Sequence, residues 1–194
     1  MKHVLIIQGH PDREERHLCH ALAEAYEDGA TAAGHDIREL DVARLDFPLL
    51  RSEREWKNSP LTAALQHAQA GIAWAHHLVL FFPLWLGDMP ALLRGFLEQV
   101  ARPGFAFEEE EGNPFARKGL KGRSARIVVT TRMPTMAYRS YLRPHDRRSS
   151  ERNILGLVGI APVRQTLVGD VEHLGAAGRR RWLSKMKAFG RSTG

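Results

Sequence analysis

The feature that most constrains the fold is an uninterrupted apolar run, HLVLFFPLW, at residues 77–85. A run of this length without polar alternation is typical of a strand that is buried on both faces of a parallel sheet. Pro90 and the helical spacing of the residues around it predict a helix over 89–100, with Pro90 at its first position. The chain is therefore expected to contain a central buried strand that is joined to a helix by a short, stiff loop.

The same order of strand and helix is repeated along the chain, whose 194 residues are enough for one well-packed domain. Connections 43–59 and 103–122 lack either periodicity and are predicted to be irregular. The alternation predicts an α/β fold with one domain over 1–194: a flavodoxin-like, doubly wound, five-stranded parallel sheet with helices on both faces. The remaining strands are predicted at 2–8, 35–42, 123–131 and 162–169, and the remaining helices at 18–34, 60–75, 147–158 and 175–190.

Composition excludes several classes of protein. No apolar segment reaches the ~20 residues of a membrane span, and the first residues lack a signal-peptide pattern, so we expect a cytoplasmic protein that does not span a membrane. Cys19 is the only cysteine, which excludes an internal disulfide and a cysteine-rich zinc site, and it is expected to be a buried helical thiol.

Charge is divided unevenly along the chain. Residues 1–112 contain 10 Lys and Arg against 18 Asp and Glu, whereas residues 113–194 contain 18 against 4. A basic half suits phosphorylated ligands or an acidic partner surface. It carries no helix-turn-helix, zinc or RNA-recognition pattern, so we expect no nucleic-acid partner.

Two loops are candidates for a ligand site, because ligands of doubly wound sheets bind beyond the carboxyl ends of the strands. The loop after the central strand contains Trp85, which can cover a flat aromatic cofactor, and Gly87, which permits close backbone approach. The alternative is a tight turn with Trp85 in the core.

The loop after the first strand opens a helix, so its N–H groups and the helix dipole suit a terminal phosphate, with His10 and His17 as further donors. It is neither a Walker A loop nor a GxGxxG loop. The alternative is that His10, His17 and His20 only begin a helix. We expect no metal site here, since no carboxylate or cysteine falls at ligand spacing in an evident strand or helix pair.

Five segments of the chain, taken together, resemble in order and spacing the NAD(P)H:quinone oxidoreductase family of flavodoxin-like flavoproteins. This family includes the ancillary reductases of bacterial potassium-efflux systems. The block FPLWxGxMPALLxGFxxxV is the strongest part of the resemblance, which spans almost the whole chain. The segments that carry it are HVLIIQGHPD, LVLFFPLWLGDMPALLRGFLEQV, RPGFAF, KGRSARIVVTTRMPTMAYRSYLRPH and RNILGLVGIAPVRQTLVG.

The resemblance implies non-covalent FMN, with FAD as the alternative, and two-step hydride transfer from NAD(P)H through the flavin to a quinone or related acceptor. It implies that Tyr138 and His145 act as hydrogen-bond or proton donors beside the flavin. The residues implied to bind the cofactor are His10, His17, Leu18 and Cys19 at the phosphate, Pro83, Leu84, Trp85 and Leu86 at the ring, and Thr131, Arg132, Met133 and Tyr138 after the fourth strand.

The resemblance also implies a homodimer with Phe105 and Phe107 near the partner subunit. Arg139, Arg143 and Arg147 are candidate contacts to the diphosphate of NAD(P)H. Arg132 departs from the family, which usually has glycine at this position beside the flavin. The alternative function is a flavodoxin-like regulatory or binding subunit of a membrane transporter or other partner, with little turnover.

Overall fold

The computed structural model describes residues 1–110, 113–134 and 150–193, and its centre is a five-stranded sheet. The strands are β1 (His3–Gln8), β2 (Asp36–Asp41), β3 (His77–Pro83), β4 (Phe107–Glu110), β5 (Asn113–Lys118), β6 (Ser124–Thr130) and β7 (Val163–Val168). The helices are α1 (Leu18–Ala32), α2 (Glu53–Asn58), α3 (Ala63–Trp74), α4 (Ala91–Val100), α5 (Ser150–Leu157) and α6 (Gly175–Ser192).

The sheet is parallel throughout, in the order β2-β1-β3-β6-β7. Alternate side chains of β3 enter two separate cores, since successive residues of a strand point to opposite faces. Val79 and Phe81 pack with α1 and α6, whereas Leu80 and Phe82 pack with α3, α4 and α5. The predicted fold class is confirmed, and the extent of the domain over 1–194 stays a prediction.

Two connections that were predicted to be irregular contain regular structure. Residues 103–122 include an antiparallel pair, β4 and β5, outside the main sheet. The run FEEE in β4 has no apolar alternation, so the pattern of a half-buried strand is missing there. Residues 43–59 include α2, whose N-terminus is capped by Ser52 Oγ accepting from Glu55 N–H at 3.2 Å.

The connection over 43–59 is held against the C-terminal end of α4 by hydrogen bonds of polar side chains. Gln99 Nε2 donates to Pro48 O at 2.6 Å, and Arg102 Nη1 donates to Ser59 O at 2.6 Å. Trp56 Nε1 donates to Ala101 O at 3.1 Å. Hydrogen bonds in both directions between this connection and the end of α4 therefore supply the order that the sequence of the connection does not show.

Small shifts separate the predicted and observed helix ends. Helix α4 begins at Ala91, so Pro90 is its N-cap and not its first residue as predicted. Helix α3 begins at Ala63 because Thr62 Oγ1 accepts from Leu65 N–H at 3.3 Å. Of the helix predicted over 147–158, Ser150–Leu157 is observed and 147–149 lie outside the described residues.

Helices α1 and α6 cross at backbone contact through two glycines. A Cβ atom at Gly29 would lie 2.0 Å from the carbonyl oxygen of Lys187, and one at Gly190 would lie 2.0 Å from that of Tyr26. A carbonyl of the facing helix cannot move aside as a flexible side chain can. This crossing closes the core layer above one face of the sheet.

We expect Gly190→Ala to lower the free energy of unfolding by about 3 kcal/mol or more, because the methyl group forces the two helices apart. Gly156→Ala is the matched control, since no atom of the described residues lies within 4 Å of a Cβ there and alanine favours a helix by up to ~1 kcal/mol. Urea unfolding of the variants measures the change. Equal stability of Gly190→Ala and wild type would contradict the crossing.

Candidate functional site

Backbone hydrogen bonds hold the carboxyl ends of neighbouring strands together. Gly9 N–H donates to Phe81 O at 2.7 Å, Leu84 N–H to Thr130 O at 2.7 Å, and Thr131 N–H to Val168 O at 2.9 Å. The loops that begin at 9, 84 and 131 therefore leave the same edge of the sheet. The predicted site residues of these loops that the structure describes all lie at this edge.

The loop after β3 makes a closed four-residue turn. Trp85 N–H donates to Asp88 O at 2.9 Å, and Asp88 N–H donates to Trp85 O at 3.0 Å. Leu86 has φ +50° and Gly87 φ +85°, the pattern of a type I′ turn. Leucine has a side-chain penalty in this left-handed region of about 1–2 kcal/mol, so the turn holds Leu86 under backbone strain.

This turn presents apolar surface to solvent. The Trp85 side chain is 51% exposed and Leu86 is fully exposed. The alternative in which Trp85 lies in the core is therefore wrong. The N–H groups of Leu84 and Trp85 are already used within the fold, so a ligand can meet only those of Leu86 and Gly87 in this turn.

Asp88 joins the turn to α4. Its Oδ1 accepts from Met89 N–H at 2.8 Å, and its Oδ2 accepts from Arg94 Nη1 at 2.9 Å. Neither Asp88 nor Arg94 is among the predicted site residues, although their spacing across a helix start is the available signal. The pair fixes the position of the turn relative to the helix.

The first loop brings a group of imidazole rings beside this turn. The rings of His10 and His17 stack with centroids 3.9 Å apart, and His20 lies 5.1 Å from His10. The ring of His10 also meets that of Trp85 edge-on at 6.3 Å. The two loops that the sequence indicates separately as candidates for a ligand site therefore lie next to each other in the structure.

Hydrogen bonds define the orientation of His10. Its Nδ1 accepts from Asp12 N–H at 3.2 Å, so the neutral ring carries its proton on Nε2. No partner for that Nε2 occurs in the part of the chain that the structure describes. The residue is only 6% exposed. His10 thus offers an N–H donor that the fold itself leaves unused.

Burial controls the charges in this loop. It lowers the pKa of His10 to about 4, with the neighbouring His17 and His20 acting in the same direction, and it lowers the pKa of His20 as well. The hydrogen bond from His17 Nε2 to Asp12 Oδ2, 2.7 Å long, lowers the pKa of the Asp12 carboxyl to about 2. At neutral pH His10 is neutral and Asp12 is ionised.

The start of α1 lies directly behind these rings. Within residues 1–110, 113–134 and 150–193, the N–H groups of Leu18 and Cys19 have no acceptor, as is normal for the first turn of a helix. The Cys19 side chain is buried, with Sγ donating to Gln8 Oε1 at 3.5 Å, and burial raises the pKa of this thiol. Cys19 is the predicted buried thiol, so only its backbone faces a ligand.

The third loop shows where Arg132 lies. Its Nε forms an ion pair with Glu172 Oε1 at 2.9 Å, and its side chain is 84% exposed. Positive φ values at described residues other than glycine are confined to Leu86, Asp170 and Thr193, so Arg132 does not need the conformation that glycine permits. Thr131 is buried, and its Oγ1 accepts from Met133 N–H at 3.1 Å.

Several predicted residues lie outside the described part of the chain: Tyr138, His145, Arg139, Arg143 and Arg147. Their roles stay predictions. Phe107 is buried in the core and Phe105 packs against it. Their expected place near a partner subunit also stays a prediction.

We expect His10 to make stability depend on pH. In the unfolded chain its pKa is near 6.5, whereas in the folded protein it is about 4, so the unfolded state binds more protons between these values. The free energy of unfolding should fall as pH is lowered from 6.5 to 4. In urea unfolding, His10→Gln should reduce the slope of the free energy of unfolding against pH, whereas the control His67→Gln, at an exposed position, should not. Equal slopes for wild type and His10→Gln would count against the burial of a neutral imidazole.

No helix of the described residues is long and apolar enough to cross a membrane.

Comparison with known proteins gives consistent results. Residues 2–188 match the model of a family described as having the flavodoxin-like fold. The chain is 27% identical over 173 residues to an uncharacterised NAD(P)H oxidoreductase of Haemophilus influenzae, covering 86% of this chain and 83% of that protein. It is 28% identical over 152 residues to a ribosyldihydronicotinamide dehydrogenase-like protein, traD, of Penicillium crustosum, covering 66% of this chain and 56% of that one.

Solved structures show the same fold. An NAD(P)H:quinone oxidoreductase from Methanothermobacter marburgensis has a TM-score of 0.82 at 24% identity, covering 98% of this chain and 96% of that chain. An FMN-dependent NADH-azoreductase from Bacillus anthracis, in complex with FMN, has a TM-score of 0.75 at 13% identity, covering 99% of each chain. By its sequence over 2–188 and by its sheet order, the chain belongs to the family of proteins with the flavodoxin-like fold.

Proposed function

We propose that the protein is a flavin-dependent NAD(P)H oxidoreductase that holds FMN at the carboxyl edge of the sheet and reduces a quinone or a related acceptor. The observation that carries this proposal is the half-exposed Trp85, which is held on a strained turn and whose ring contacts that of His10. The Nε2–H group of His10 has no partner among the described residues. An aromatic surface beside unused donors suits a ligand with a flat ring and an anionic end. The relatives named as NAD(P)H oxidoreductases support the same class of reaction.

The residues present fit the two ends of such a cofactor. The unused N–H groups of Leu18 and Cys19 and the dipole of α1 suit the phosphate, with His10 as a further donor. His17, the other predicted donor, has its Nε2 engaged with Asp12 and would have to release that carboxylate to reach the phosphate. Leu84, Trp85 and Leu86 form the surface for the ring, whereas Pro83, also predicted to bind it, is buried at the end of β3. Thr131, Arg132 and Met133 lie on the next loop along the edge. Because Arg132 is paired with Glu172, its side chain is held by the segment after β7.

When bound, the flavin supplies the hydride chemistry, and the chain supplies binding, orientation and charge. Trp85 and Leu86 exclude water from one side of the ring. By resemblance to the family, Tyr138 and His145 hold or donate a proton beside the ring. FMN is proposed ahead of FAD because a structural neighbour with the same fold is an FMN-dependent NADH-azoreductase. A cytoplasmic homodimer completes the proposal.

A visible absorption spectrum tests the proposal. The purified protein is measured before and after incubation with FMN and desalting, and NADPH is then added without oxygen. We expect a retained flavin band that bleaches on addition of NADPH. A protein that retains neither FMN nor FAD would refute the proposal, and retained FMN that NADPH and NADH leave unreduced would favour the regulatory subunit.

Trp85→Ala should raise the dissociation constant for FMN about tenfold, equivalent to ~1.4 kcal/mol, because the aromatic surface under the ring is removed. Leu157→Ala is the control, since it also truncates a half-exposed apolar side chain, on α5. Quenching of flavin fluorescence measures both constants. If the two variants bind FMN equally well, the ring does not rest on this turn.

Glu172→Gln should also weaken FMN binding, by up to about fivefold, because an exposed ion pair contributes up to ~1 kcal/mol and its loss frees the Arg132 side chain to obstruct the space beside the ring. Glu53→Gln breaks another exposed ion pair, with Lys57 on α2, and serves as control. The same fluorescence titration applies. Unchanged affinity in Glu172→Gln would show that the position of Arg132 is irrelevant to the cofactor.

A further inference from the structure

Helix α6 carries a concentration of positive charge. Its 18 residues, Gly175–Ser192, contain six Lys and Arg and no Asp or Glu. Its apolar side is used inside the protein by five residues that are buried or pack against the core: Trp182, Leu183, Met186, Phe189 and Gly190. The charged residues are therefore left mainly to the other side of the helix.

The helical period collects the exposed residues of α6 on one strip. The exposed positions on the side opposite Met186 and Gly190 are Ala177, Arg180, Arg181, Ser184, Lys185, Ala188, Arg191 and Ser192. These residues are called the α6 strip. At 1.5 Å per residue the strip is about 20 Å long, and four of its eight residues are cations.

Acidic side chains of the fold do not neutralise the α6 strip. Arg180, Arg181 and Arg191 form no ion pair or side-chain hydrogen bond with any described residue, and the Lys185 ammonium lies over the ring of Trp182 at 4.6 Å. The ion pair that α6 makes with described residues uses Lys187, beside the strip, whose Nζ lies 3.4 Å from Asp28 Oδ2. Like charges this close along a helix repel one another, so an anionic partner would stabilise the strip.

The residues between the cations offer little to a protein partner. Ala177, Ser184 and Ala188 are small, so the strip itself presents no large apolar or aromatic side chain to a pocket. Interfaces between proteins usually depend on such anchors. The strip therefore suits a partner that is held by charge alone.

Helix α1 limits which polyanion can approach. It is in backbone contact with α6 through Gly29 and Gly190, so α6 lies flush on the domain. A helix that reads duplex DNA enters the major groove, which is about 12 Å wide, and a helix flanked this closely cannot do so. The headgroups of an anionic bilayer form an extended charged surface that a flush helix can meet along its whole length.

We propose that the α6 strip is a docking surface for the anionic headgroups of a lipid bilayer, on which the protein lies peripherally. Each Lys or Arg held near such a surface strengthens the association several-fold, and the strip supplies four. Because the apolar side of α6 is packed within the protein, the association is electrostatic and the helix does not insert. This proposal does not depend on the proposed function.

Sedimentation with vesicles tests the proposal. The untagged protein is mixed with vesicles of phosphatidylcholine alone, or of phosphatidylcholine and phosphatidylglycerol in equal parts, and the bound fraction is measured. We expect binding only to the vesicles that contain phosphatidylglycerol. Binding should be lost when salt is raised from about 0.1 M to about 1 M, because the Debye length falls from ~10 Å to ~3 Å. Equal binding to both kinds of vesicle, or binding to neither, would overturn the proposal.

Matched charge variants separate the α6 strip from the net charge of the chain. Arg180→Gln/Arg181→Gln should weaken vesicle binding at least about tenfold, because each cation near the surface contributes about fivefold. Arg51→Gln/Arg54→Gln removes the same charge from exposed positions at α2 and should bind as the wild type does. Glutamine has nearly the helix propensity of arginine, so both variants keep the fold. Equal weakening in the two variants would show that net charge alone is responsible and would overturn the proposal.

Two soluble polyanions test the other classes of partner. Polyglutamate represents an acidic protein surface and duplex DNA a nucleic acid, and each is added at the same concentration of charge as the vesicle lipid. We expect the protein to stay on the vesicles. Release by either polyanion would assign the α6 strip to that class of partner instead and would overturn the lipid proposal.

Discussion

The candidate site depends on the burial of β3 at the centre of the sheet. Each residue from His77 to Pro83 is enclosed, with two neighbouring strands at its sides and helices above and below. Leu84 N–H continues the ladder by donating to Thr130 O, so the chain leaves the sheet in a fixed direction. The turn that follows therefore has no freedom to fold Trp85 back into the core, which is already filled by Phe81 and Phe82.

Electrostatics in the first loop follow from the same compactness. The ring of His10, just after the end of β1, stacks on the ring of His17, and burial keeps His10 neutral. Asp12 gains a hydrogen bond from His17 and two from the backbone, and these stabilise its charged form. A neutral donor and an ionised carboxylate thus occupy adjacent positions in this short loop.

The sequence predicted what periodicity and turn chemistry encode. The five strands of the sheet, the buried Cys19 and the position of the Trp85 turn were all visible as patterns of apolar residues, glycine and proline. The hairpin of β4 and β5 was not, because a two-stranded element outside the core has no buried face to mark it. The helix α2 was missed although Ser52 and Glu55 carry a capping signal, since its few residues have no apolar stripe of their own.

The details of the site were less predictable, because they arise from contacts across the fold. Nothing in the letters around Arg132 indicates that Glu172, forty residues later, pairs with it. The hydrogen bond between His17 and Asp12 likewise depends on how the loop turns, and no fixed spacing encodes it. Site residues on helices and strands were therefore easier to predict from the sequence than site residues whose partners come from other loops.

The glycine crossing of α1 and α6 has a consequence for the order of folding. Helix α1 is synthesised well before the backbone that covers it, which belongs to residues near 187–190. Contacts of such large sequence separation form late, because most of the intervening chain must be ordered first. The core layer that contains Val4 and Ile6 of the sheet and Tyr26 of α1 therefore stays incompletely covered until α6 has been synthesised, and during that interval its apolar surface is exposed to aggregation.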